Sequence, residues 1–131
     1  MKFSQAAVSA FGFLGGWHFR LVDTTDESVR FESPTAVVVV SYYPREAQVD
    51  VTVSPIVQRD RHDSLVISGM VGRASPERLL ELAAEKLSAN ELALRGDTEY
   101  FTHVGDEQRR FGAEWTAFYE GKAPQPRGKL P

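Results

Sequence analysis

FESPTAVVVVSYYPREAQVDVTVSPI, residues 31–56, holds two β-rich runs joined at Tyr43-Pro44-Arg45-Glu46, and the two runs differ. Over 46–54 the apolar Ala47, Val49, Val51 and Val53 alternate with Gln48, Asp50 and Thr52. That alternation fixes which side of the strand meets a core, because side chains change face at every residue. The first run is apolar on both sides. Pairing 42 with 47 puts Tyr42, Val40, Val38 and Ala36 on the core face, through an even-length turn with Pro44 at its second position. An odd-length connection would set Gln48 and Asp50 beside Tyr42 and Val40. Val37, Val39, Ser41 and Tyr43 are then left on the outer face, next to Gln48, Asp50 and Thr52. A strand apolar on both faces is usually covered on both, so either the chain's own last helix or a second chain lies over this side.

Outward from the hairpin, the pattern continues in both directions. Phe3, Ala6, Ala7, Ala10 and Phe11 recur at helical spacing, and Gly15-Gly16 closes the run, so a short helix is expected over 3–13. From Trp17 the period becomes two: Trp17, Phe19 and Leu21, then Val29 and Phe31 after the polar DTTDES, predict a first hairpin. After Pro55, LVISGM reads as a fifth strand behind the polar VQRDRHDS. Ser75-Pro76 opens a helix with Ser as N-cap and Pro at the first helical position, Leu92 and Leu94 carry the helical part to Gly96, and Asp97 caps a last helix bearing Phe101, Val104, Phe111, Trp115 and Phe118. The fold class is α+β: an N-terminal helix, an antiparallel sheet of four or five strands, and C-terminal helices packed on the sheet. Residues 1–120 form one domain, and 121–131, with three prolines and two glycines, are expected to be a disordered tail. The core is expected from Phe19, Phe31, Val38, Val40, Val49, Val51, Leu79, Leu80, Ala83, Phe101 and Trp115.

Composition narrows the function classes. The chain has 131 residues and no cysteine, which leaves no thiolate for catalysis, metal or disulfide. Cytoplasm is the expected location. The apolar opening is interrupted by Ser4, Gln5 and Ser9 and runs into Trp17 where a leader would carry a small residue, so it reads as part of the domain. No apolar run reaches the roughly 18 residues of a membrane span. Residues 1–120 carry twelve bases against eighteen acids, and most of the excess lies after residue 74. That balance argues against a nucleic-acid partner, which would want a basic stripe, and suits a basic protein.

No constellation announces chemistry. Histidines 18, 62 and 103 are the only imidazoles, and His62 with Asp60 and Asp63 makes a poor metal cage. His103 and Glu107 share a helical face, where a solvent-facing pair is the simpler account. Ser33 and Ser41 have no visible His and Asp partners, and Gly12, Gly15 and Gly16 form no phosphate-binding pattern. No catalytic residue, cofactor or metal is expected. The surface of interest is the outer face of the central hairpin, where Arg20, Val37, Val39, Tyr43 and Asp50 would combine aromatic, apolar and charged groups of the kinds that concentrate binding energy.

Val29-Arg30-Phe31-Glu32-Ser33-Pro34, Tyr42-Tyr43-Pro44-Arg45 leading into Val49-Asp50-Val51, and Arg95-Gly96-Asp97 with Phe101 carry a resemblance. Over about residues 11–111 the chain resembles a loose group of small bacterial proteins with an Arg-Phe/Tyr-Glu-Ser strand, a Tyr-x-Pro-Arg hairpin and a Leu-x-Gly-Asp entry to the last helix. Proteins of this kind resemble immunity partners of secreted toxins. The resemblance implies a non-enzymatic binder of a protein partner, a toxin domain, and supplies no catalytic residue. Two alternatives stay open: a small enzyme or ligand-binding domain with a pocket lined by Trp17, Phe31 and Trp115, and a self-associating structural protein, a homodimer through the outer sheet face.

Overall fold

The computed structural model describes residues 3–46, 48–56, 64–70, 75–122 and 124. Helix α1 (Phe3–Ala10) leads through a 3₁₀ helix (Gly12–Trp17) into five strands, β1 (Arg20–Thr24), β2 (Ser28–Glu32), β3 (Ala36–Tyr43), β4 (Gln48–Pro55) and β5 (Leu65–Met70). Helices α2 (Pro76–Ser88), α3 (Glu91–Arg95) and α4 (Thr98–Tyr119) complete the chain. The strands lie side by side in chain order, every neighbour antiparallel, so the α+β architecture is the one the pattern predicts.

The central hairpin keeps its expected faces in a different register. Tyr42 pairs with Val49 and Tyr43 with Gln48, two residues on from the predicted 42–47 pairing. A shift of two preserves parity, so Val38, Val40, Val49, Val51 and Val53 still share the core face and all are fully buried or nearly so. The turn before β3 is held by Ser33, the one buried polar side chain among the described residues. Its hydroxyl oxygen accepts from the Ala36 N–H at 2.9 Å and the Thr35 N–H at 3.2 Å, and its own N–H donates to the Ala36 carbonyl.

Two local expectations give way. The helix predicted over 3–13 ends at Ala10, and Gly15-Gly16 sit inside the 3₁₀ helix instead of stopping a helix. Phe11 and Leu14 are thereby turned inward to full burial, a better placement for two large apolar groups than one more α-turn would give. Trp17 consequently belongs to the 3₁₀ helix and not to β1, though it still packs on the core.

The helices obey their caps. Ser75 accepts from the Arg78 N–H, Asn90 from the Ala93 N–H and Asp97 from the Tyr100 N–H, each satisfying a first-turn donor that the helix itself cannot. Leu80, Ala83, Ala84 and Leu87 of α2, Ala93 and Leu94 of α3 and Phe101 of α4 join Ala6, Ala7 and Phe11 and the inner sheet face in one core. Trp115 does not belong to it. The predicted stripe on α4 carries only its first turns inward, and further on Phe111, Trp115, Phe118 and Tyr119 make ring contacts with one another. The expected disordered tail falls, from residue 123 on, almost wholly outside the described residues.

Gly96 links the layers. It closes α3 in the left-handed region (φ 69°), and a Cβ built on it would lie 2.3 Å from the Thr35 carbonyl oxygen. Gly96→Ala should therefore lose both the free left-handed geometry, about 1–2 kcal/mol, and the close approach to the strand. A total loss of about 2 kcal/mol or more is expected in chemical denaturation, and an unchanged midpoint would contradict this contact.

Candidate functional site

Residues directly opposite one another in an antiparallel sheet point to the same side, so the pairings lay out the outer face row by row. Arg20, Glu32, Val37 and Ser54 form one row; Arg30, Val39, Thr52 and Val66 the next; Ser28, Ser41, Asp50 and Ser68 a third; Tyr43 and Gln48 begin the last. All five residues expected at a partner surface, Arg20, Val37, Val39, Tyr43 and Asp50, thus share one face. The cores of α1, α2 and α3 lie against the other.

Exposure along β3 is graded. Val37 is 7% exposed, Val39 is half-buried, and Tyr43 is 45% exposed. Val37 and Val104 of α4 are the two buried apolar side chains, among the described residues, that stand outside the main core. Helix α4 touches β4, and Gln108 Nε2 donates to the Ser64 carbonyl at 3.0 Å, just before β5 begins, at the level of the Val37 row. The chain's own last helix therefore reaches the sheet at the Val37 end, while the Tyr43 end is open.

Polar groups at that open end are held in place. Gln48 Nε2 donates to Asp50 Oδ1 at 2.7 Å, beside Tyr43 and Ser41. On β2 Arg30 pairs with Glu32 at 3.0 Å, two residues along the same strand. The pair is too solvent-exposed to contribute more than about 1 kcal/mol, but it occupies Glu32, and Arg20 is left with no ion pair or hydrogen bond among the described residues. A cleft of about 430 Å³ lined by His18, Arg20, Glu32, Ser33, Pro34 and Ile56 sits at the foot of this face. His18 there is in the left-handed region (φ 67°), where its N–H caps the 3₁₀ helix.

The other sequence candidates are dispersed. Glu107 is paired with Arg110, not with the exposed His103. Asp60, His62 and Asp63 lie outside the described residues, and no group of three metal-ligating side chains forms among those described. Phe31 is in the core, Trp17 packs against it from a partly buried position, and the ring contacts of Trp115 are with its own helix. Gln48 and Ser41, which complete the Tyr43 patch, stand on the outer face to which parity assigns them. The exposure of Leu21 and Val22 on β1 could not be read in this way, because alternation alone reads Leu21 as core.

Compared with family models, with curated proteins and with solved structures, the chain finds no match in any of the three. No helix of the described residues is long and apolar enough to cross a membrane.

The graded coverage separates two substitutions. Val37→Lys should cost the isolated chain about 2 kcal/mol or more, because a lysine there must be desolvated or the groups that bury Val37 displaced. Tyr43→Ala should stay within about 0.5 kcal/mol of the parent. Equal effects in urea titrations would show that β3 is covered evenly.

Proposed function

We propose that the protein is a non-enzymatic binding protein of the immunity type, which occludes a partner protein with the open end of its outer sheet face. The observation that carries this is the convergence of Arg20, Val39, Tyr43 and Asp50 on one face, along whose apolar strand exposure rises from the buried Val37 to the open Tyr43. Tyr43 is the aromatic anchor. It presents a large amphipathic side chain whose ordering costs little entropy. Asp50, oriented by Gln48, offers its carboxylate to a cation on the partner. The acidic balance of residues 1–120 favours a basic partner and speeds encounter with it. The sequence resemblance to immunity proteins points the same way.

Co-expression with the C-terminal domain of a secreted protein encoded beside this chain tests the proposal. A stable complex and protection of the host cell are expected. Tyr43→Ala and Asp50→Lys should each weaken the complex at least tenfold, about 1.4 kcal/mol, at unchanged melting temperature. A complex indifferent to both substitutions, or no complex at all, would remove the outer face from this role.

A further inference from the structure

Strand β1 stands at one edge of the sheet, and all five of its residues are exposed. Among the described residues no strand pairs with its free side. Leu21 and Val22 there are 46% and 39% exposed, an apolar pair at an open backbone edge. Between them the register slips: Leu21 faces Phe31, Asp23 faces Arg30, and Val22 is the extra residue of a β-bulge. A bulge makes two residues occupy one position of the pleat. Its consequence is that Arg20 and Asp23, three apart, lie on the same outer face, opposite Glu32 and Arg30 respectively, whereas in a regular strand they would point to opposite faces.

We propose that two copies of this chain pair antiparallel through their β1 edges, joining their sheets into one. The two-fold axis passes through the bulge, perpendicular to the sheet, so that each Arg20 meets the second copy's Asp23 and the Leu21-Val22 pairs meet at the centre. The two-fold requires facing residues to share a side, which the bulge alone makes possible for this pair of charges. The edge is self-complementary in charge: one cation and one anion, related by the axis, form two equivalent ion pairs. Among the described residues of a single chain these charges are left over. Arg30 and Glu32, the cross-strand neighbours that could have taken them, pair with each other at 3.0 Å. Among the described residues Arg20 has no partner, and the Asp23 carboxylate accepts only the adjacent Thr24 N–H at 2.9 Å. Both outer faces end on the same side of the joined sheet, and Val39, Tyr43 and Asp50, on β3 and β4, take no part in the contact.

The test is the mass in solution of the purified chain alone, by light scattering over a concentration series up to about 1 mM, the weak end of specific affinity. The parent should approach twice the chain mass. Arg20→Asp and Asp23→Arg should each set like charges against one another and shift dissociation at least tenfold toward monomer, with unchanged melting temperatures because both sites are exposed. Mixing the two variants should restore the dimer as a heterodimer, since one then supplies only acids and the other only bases. The double variant carrying both changes should restore the homodimer. A parent that is monomeric throughout would overturn the proposal, leaving the bulge as a device that blunts an open edge. Single variants that associate like the parent, or a mixture that stays monomeric, would overturn it equally.

Discussion

The ladder between β3 and β4 is the constraint on which the rest depends. It runs through eight consecutive pairs from Ala36–Pro55 to Tyr43–Gln48, and its parity decides at once which valines are core and which are surface. Val38, Val40, Val49, Val51 and Val53 then form a continuous apolar floor on which α1, α2 and α3 can bury their small and branched side chains. Each fully buried valine of that floor contributes roughly 1.5–3 kcal/mol, so a slip by one residue would forfeit far more than any turn or cap could return. The helices are placed by this floor, and the outer face is what remains.

Much of this was legible because strand parity and helix caps are local signals. Ser75 and Asp97 each satisfy an N–H group three residues on, so their positions mark helix starts without knowledge of the fold. The offset of the central hairpin was not legible. A period-two pattern is satisfied equally by pairing 42 with 47 or with 49, and only the turn's three-dimensional path chooses. Trp115 misleads for a related reason: the stripe from Phe101 to Phe118 has helical spacing throughout, but spacing says nothing of where the sheet beneath the helix ends. The five residues of the outer face were legible as a set because opposite residues must share a side. How far each is covered was not, because coverage is set by contacts distant in sequence, such as the Gln108 bond to Ser64.

The bulge in β1 illustrates how one irregular residue changes what a surface can do. It leaves Leu21 opposite Phe31, as alternation requires, yet advances Asp23 to the side of Arg20. A run of alternating residues would have put Arg20 with Val22 on one face and Leu21 with Asp23 on the other. With the bulge, the edge has an acid and a base at its ends and two apolar groups between them.

The order of the sheet, β1 to β5 exactly as the chain runs, also bears on how the molecule is assembled. Each strand pairs only with the one made just before or just after it, so every ladder closes over a short stretch of chain and the loop-closure entropy that slows non-local β folds is small. The sheet can grow as the polypeptide is made, with no strand waiting for a distant partner. A long-range step is the docking of α2 against α1, which brings the helix after the last strand onto the helix before the first. During synthesis the apolar floor of β3 and β4 has only α1 to cover it until residues 76–88 have emerged, and that interval is when the chain has most to lose by meeting its neighbours.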